Sequence, residues 1–267
     1  MSFRQEGGAQ PGVAEPRLDA AQYSQRDLLT CMCHAMRTPL SAILGFAQLM
    51  DSGKPAPTIA QQKNIERILE AGWYLEKLMN MTRDLALIES GTLALSLQPV
   101  PLAALMLDCQ AMIESQAAMR GVRVTFPLFE RIPWSVLADR VRLHEVLGHL
   151  LAAAIAGSEV DGTIVVLCEA RGTEWIRIGI HDSREASAAR RGTQPPHPFD
   201  GLEQAAVADG TAIGLLLAGR LVELMGGAIG AARIAGGGTV FSIDLKRILV
   251  PLAAGHAATH SVGEPTP

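Results

Sequence analysis

Two residues with usable chemistry stand one helical turn apart in the run His34-Ala35-Met36-Arg37-Thr38-Pro39-Leu40. A neutral imidazole such as that of His34 is a nucleophile or a base toward anything that docks from solvent. Leu29, Met32, Met36, Pro39, Ile43, Phe46 and Met50 recur in steps of three and four, the seam of a bundle-forming helix over residues 24–51. His34 falls at the heptad position farthest from that seam, and Thr38 lies one turn on, on the same side. On spacing alone, a solvated surface histidine is the commoner reading.

The elements that must hold these residues follow from periodicity and punctuation. Residues 1–23 form a polar, Gly- and Pro-rich stretch without apolar period, expected as a flexible leader. Residues 51–57 (DSGKPAP) are a turn, and Thr58 or a neighbour starts a second helix. Ile65, Ile68, Gly72, Leu75, Met79 and Thr82 mark its inner face, and Gly91 ends it. Two long helices joined by a short loop make a hairpin whose seam one chain cannot fully cover, so a two-fold four-helix bundle is expected over residues 24–95.

From Thr92 onward, helices alternate with short strands. Strands are expected at 122–126, 134–138, 163–170, 175–181 and 239–245, and helices at 102–119, 139–156 and 212–225. This mix predicts an α/β sandwich with helices on one face of a sheet over residues 96–247, followed by a loose tail at 248–267. The fold class is therefore α+β.

Composition narrows the function classes. The 267 residues are 48% hydrophobic, enough to bury a sizeable core, and only 19% charged, with a net charge of −4. That balance leaves no electrostatic footprint for nucleic acid or anionic membrane. The N-terminus has no apolar h-region, and the longest greasy stretches are short or broken by Arg220 and Glu223, so a cytoplasmic protein without a membrane span is expected. The four cysteines fit a reducing compartment. Cys31 and Cys33 diverge on their helix, Cys109 and Cys168 read as core thiols, and no metal ligand is assigned.

The run His34 to Leu40, continued by Ser41-Ala42-Ile43-Leu44-Gly45-Phe46, resembles the phosphoacceptor box of bacterial two-component sensor histidine kinases. Residues 65–91 resemble the second helix of that family's dimerisation and phosphotransfer hairpin. Residues 142–151 (RLHEVLGHLL) are similar to the start of the asparagine box of its GHKL-type ATP-binding domain. Residues 220–227 and 238–241 resemble that domain's closing helix and last hairpin, and Phe199-Asp200-Gly201-Leu202-Glu203-Gln204 its lid motif, within a lid expected at 184–210. The resemblance runs from residue 24 to 247 in the family's order. It implies ATP and Mg2+ as family cofactors, a homodimer, and a response regulator receiver domain or another histidine kinase as partner.

Carried over residue by residue, the resemblance makes His34 the phosphoacceptor and Thr38 the residue that positions water against a partner's aspartyl phosphate. Ala35 replaces the family's acid beside the histidine, and losing a general base typically lowers such a step about a hundred- to ten-thousandfold. His149 and Ala153 stand where two asparagines are expected, the second being the family's magnesium ligand, and Ala156 replaces a basic residue. Asp182 matches the adenine-binding aspartate, although Ser183-Arg184-Glu185-Ala186 lacks the glycines that follow it in the family. Gly210, Thr211 and Gly214 keep part of the second glycine box, with Ala212 in place of its middle glycine, and leave a weakened anion site at a helix start.

Scaffold positions thus read normally while ligand positions are replaced, the pattern of a pseudokinase. ATP binding and magnesium binding are expected to be weak or absent. The expected function is phosphorelay through His34, exchanging phosphoryl with a receiver domain or dephosphorylating it. The alternatives are an atypical but active ATP-dependent kinase and a non-enzymatic dimeric scaffold.

Overall fold

A computed structural model describes residues 16–129, 132–182, 211–233 and 239–248, with the backbone alone at 16–31, 34, 182, 211 and 233. These residues form two compact units, 16–95 with 211–221 and 96–182 with 222–248. The lid expected at 184–210, including Gly210, and the expected tail beyond Ile248 lie outside the described residues.

The first unit is a hairpin of α1 (Pro16–Asp51) and α2 (Ile59–Glu89). Helix α1 begins inside the stretch expected as leader. Pro16 has the fixed φ that suits a first helical position, and Leu18, Ala20 and Ala21 are good helix formers, so local propensity extends the helix where the apolar period is silent. Thr58 caps α2 through a capping box, with Gln61 N–H donating to Thr58 Oγ1 at 3.4 Å and Thr58 N–H to Gln61 Oε1 at 2.9 Å.

Leu40, Leu44 and Ala47 on α1 close against Ile65, Leu69 and Met79 on α2. Each fully buried Leu or Ile of this kind is worth about 1.5–3 kcal/mol. Gly72 is the contact point of this layer: a Cβ there would stand 2.5 Å from Leu44 Cδ2. A helical glycine, which weakens a helix by about 1 kcal/mol, here admits the facing leucine.

The seam expected on α1 is not the one that closes within the chain, whereas Ile65, Gly72 and Met79 of the face expected on α2 are buried in the closed layer. Met32, Met36, Pro39, Ile43, Phe46 and Met50 are exposed, Phe46 by 69%, as are Ile68 and Leu75 of the predicted α2 face, while Leu69 is buried instead. Each exposed stripe is turned about a quarter of a circle from its helix's closed face, in the same sense along the chain. In antiparallel helices that places both stripes on one side of the hairpin. The hairpin therefore has a closed seam and a second, open apolar face.

The second unit is an α/β sandwich. In chain order it comprises β1 (Gln98–Pro101), α3 (Leu102–Arg120), β2 (Arg123–Thr125), β3 (Ser135–Ala138), α4 (Arg140–Gly157), β4 (Thr163–Arg171) and β5 (Trp175–Asp182). Then follow α5 (Thr211–Leu224), which straddles the two units, β6 (Ala228–Arg233) and β7 (Thr239–Ile248). The sheet runs β1-β3-β7-β5-β4-β2, with β6 also on β7. All pairings are antiparallel except that of β2 with β4.

Ile176, Ile178 and Ile180 alternate along β5 as fully buried residues opposite Leu245, Ile243 and Phe241 of β7. Helices α3 and α4 pack on each other and on the sheet. Cys109 is buried, whereas Cys168, expected in the core, is half-buried on β4. Burial pushes both thiols up to about 12, so both are protonated at neutral pH.

Candidate functional site

The box on α1 is held in place by what flanks it. His34 lies in α1 with only its backbone described, and Thr38, one turn on, is exposed. Cys33, directly before the histidine, is buried with Sγ 3.8 Å from the Met79 carbonyl oxygen. Arg37 donates from Nη2 to Asn80 Oδ1 at 2.8 Å, and Leu40 is in the closed seam. Three residues of the box region therefore tie its inner side to α2, leaving Thr38 on the wet side. Sequence reasoning missed the Arg37–Asn80 bond. Its only signal was an arginine inside the motif, since the partner is 43 residues away.

In the second unit, Asp139 caps α4, accepting from the backbone N–H groups of Val141 and Arg142 at 3.0 and 3.1 Å. Its other oxygen accepts from Ser96 N–H at 2.9 Å, which anchors the start of the domain to this helix. The cap sets the turn on which Arg142, Glu145, His149 and Ala153 follow along one face. Arg142 Nη1 donates to Glu145 Oε2 at 2.8 Å. Glu145 Oε1 lies 3.9 Å from His149 Nε2, too far for a hydrogen bond. His149 Nε2 is buried and has no hydrogen-bond partner among the described residues. Burial alone would push the Glu145 carboxyl up, but the His149 and Arg142 side chains outweigh it and hold the carboxyl below its ordinary value. One turn after His149, Ala153 adds only a methyl, and Ala156 is exposed.

Asp182 ends β5, with its backbone alone described. His181 before it is half-buried, and its Nδ1 has no hydrogen-bond partner among the described residues. Burial holds the His181 ring below its ordinary pKa, with Glu169 opposing weakly. Thr211 opens α5, again as backbone, and Gly214 is buried in that helix's first turn. Asp182 belongs to the second unit, whereas Thr211, Gly214, His34 and Thr38 belong to the first.

This order of parts is matched by two family models. Residues 24–91 match the His Kinase A (phospho-acceptor) domain, and residues 138–248 match the histidine kinase-, DNA gyrase B- and HSP90-like ATPase domain. The chain belongs to the two-component sensor histidine kinase family.

Among members of this histidine kinase family, it is 27% identical over 89% of its length to an uncharacterised sensor-like histidine kinase of Rhizobium meliloti, covering 46% of that protein. It is 28% identical over 95% of its length to the virulence sensor protein BvgS of Bordetella bronchiseptica, covering 21% of it. The chain thus spans less than half the length of these curated relatives. A solved structure of full-length ShkA in complex with AMPPNP superposes with a TM-score of 0.65 and 25% identity, covering 84% of this chain and 46% of that one. In the family, the phosphoacceptor domain goes with a homodimer and a response regulator partner, and the ATPase domain with ATP and Mg2+ binding. No helix among the described residues is long and apolar enough to cross a membrane.

Proposed function

We propose that this histidine kinase homologue works in a phosphorelay through His34, in the cytoplasm, with little or no ATP-dependent autophosphorylation. Residues 24–95 are its dimerisation and phosphotransfer domain and residues 96–247 a degenerate ATP-binding domain. The observation that carries the reading is the α4 face. Magnesium takes hard oxygen donors in near-octahedral geometry. This face supplies one carboxylate already held by Arg142, one imidazole nitrogen and the Ala153 methyl. The residues there do not fit a magnesium-bound nucleotide.

The hairpin, by contrast, keeps what phosphotransfer needs. In the forward step an imidazole nitrogen of His34 attacks the phosphorus of a receiver's aspartyl phosphate. The N–P bond forms, the acyl-phosphate P–O bond breaks, and the aspartate leaves as a free carboxylate. In the phosphatase variant, water replaces the imidazole and Thr38 orients it, so that aspartate and inorganic phosphate are released. The open apolar face of the hairpin supports a second copy as its cover, which would complete a four-helix bundle.

Mixing the full chain with a receiver domain carrying labelled phosphate tests this. Label on the wild type, none on His34→Gln and none from labelled ATP is the expected result. Label taken from ATP by the wild type alone overturns it in favour of an atypical active kinase. That reading draws on Asp182 at the end of β5 and Thr211 at the start of α5, positions similar to those the family uses for nucleotide. If His34→Gln signals normally in cells, the chain is a dimeric scaffold.

A further inference from the structure

The bond between Arg37 and Asn80 lies at the level of the phosphoacceptor position. Cys33 packs with Sγ 3.8 Å from the Met79 carbonyl oxygen, which sets these two residues opposite each other in the closed seam. His34 and Asn80 follow them in the chain, each turned about 100° onward around its own helix. In antiparallel helices this brings both positions onto one side of the hairpin, away from the exposed stripe of Met36, Ile43, Ile68 and Leu75. A second copy covering that stripe leaves Asn80 and the His34 position accessible. Arg37, one turn after His34, stands between it and the seam and reaches across to Asn80, donating from Nη2 to Oδ1 at 2.8 Å.

Arginine offers only donors, so the amide atom that meets it is the oxygen, and Asn80 Nδ2 keeps both of its N–H groups. Among the described residues neither Nδ2 nor the rest of the guanidinium has a further partner, and no carboxylate neutralises Arg37. Both residues are half-buried, so they are reachable from solvent yet partly shielded from it. A charged fork and an amide donor therefore stand together beside the phosphoacceptor position with N–H groups to spare.

We infer, resting on the phosphotransfer reading of His34, that Asn80 and Arg37 form a phosphoryl-binding subsite. Asn80 Nδ2 and the free N–H groups of Arg37 hold the oxygens of the phosphoryl group that passes between a receiver aspartate and His34. In the transition state the negative charge spreads over those oxygens, and donors held ready for it lower the barrier. Bonds from arginine to phosphate are among the stronger kinds. In the step itself the imidazole nitrogen's electron pair makes the N–P bond, and the pair of the P–O bond leaves with the aspartate. The subsite gives and takes no proton.

Phosphoramidate, a small donor that phosphorylates a histidine nitrogen and releases ammonia, tests the subsite on the full chain without a receiver. Phosphohistidine at His34 is followed by mass spectrometry of its peptide, and circular dichroism confirms that each variant is folded. Asn80→Asp keeps an oxygen to accept from Arg37 but replaces the amide N–H groups with negative charge, whereas Asn80→Ala removes both. A residue that only braces the hairpin predicts Asn80→Ala as the worse variant; the subsite predicts the reverse. The expected result is an initial rate about tenfold or more lower in Asn80→Asp than in the wild type, with Asn80→Ala between them. Thermal stability should be kept in Asn80→Asp and fall in Asn80→Ala. Asn80→Asp modified as fast as the wild type, or Asn80→Ala slower than Asn80→Asp, overturns the subsite and leaves the phosphorelay reading standing. No phosphohistidine at His34 in the folded wild type overturns both together.

Discussion

The hairpin and the α4 face are both built on amphipathic helices, yet they treat their polar groups in opposite ways. Around the box, Arg37 meets Asn80 across the hairpin and Cys33 meets the Met79 carbonyl, so the inner side of α1 is fixed layer by layer. On α4, the His149 nitrogen meets no hydrogen-bond partner among the described residues, and the next residue on the face is alanine. One region keeps its positioning contacts, and the other keeps its backbone frame, the Asp139 cap and a buried apolar side, while its outward donors are few. Scaffold and chemistry are separable within one chain, because the cap and the core fix where α4 lies regardless of what its outer face carries.

The largest effect should come from spoiling the hairpin's open face. Met36→Asp places a charge in the stripe that a second copy would cover, and sedimentation should show the dimer lost while the monomer's helicity remains. Next in size is a matched pair of glycines. Gly72→Ala forces a Cβ to 2.5 Å from Leu44 Cδ2, and overpacking of about 1–3 kcal/mol should exceed the roughly 1 kcal/mol gained in helix propensity. Gly45→Ala meets nothing within 4 Å and should instead stabilise by up to about 1 kcal/mol. Chemical denaturation of both variants checks the contrast, and equal effects would contradict the close approach at Gly72.

Smaller still is the coupling between Arg37 and Asn80. A double-mutant cycle with Arg37→Ala and Asn80→Ala should give about 0.5–3 kcal/mol of interaction energy in stability, with the double variant losing less than the sum. The mildest effect belongs to the second unit. The folded His181 pKa lies below its ordinary value of 6.5, so the unfolded chain binds the extra proton first. Its share of stability is fully present above pH 6.5 and declines as the pH falls toward the folded value. Urea midpoints measured on either side of that pH should show a drop that His181→Gln reduces.

Much of this architecture was legible in the sequence, for physical reasons. Period and punctuation located both long helices and the Thr58 start, because caps and apolar spacing are local. They located β2, β3, β4, β5 and β7, which are rich in branched residues or alternate. They did not reveal β1, where Gln98-Pro99-Val100-Pro101 carries two prolines tolerable only because the strand lies at the sheet edge. Nor did they reveal β6, Ala228 to Arg233, whose alanines and glycine have little strand preference and pair because β7 is beside them. The open and closed stripes of the hairpin could not be told apart, since both are apolar at helical spacing and only the partner helix decides which closes. At the candidate site, Glu145 and His149 were readable as a turn-spaced pair. That Arg142 turns the carboxylate's other oxygen toward the imidazole depends on rotamers, which no spacing encodes.

Strand β7 borders β3, β5 and β6 and follows all of them in the chain. On a ribosome the hairpin can close from contacts between consecutive helices, whereas the sheet lacks its middle until residue 248 has emerged. The order of synthesis therefore gives the phosphoacceptor unit a head start, and β5 waits with a bare edge for its last neighbour. A nascent chain halted before Thr239 would carry a finished hairpin beside a domain still missing its keystone.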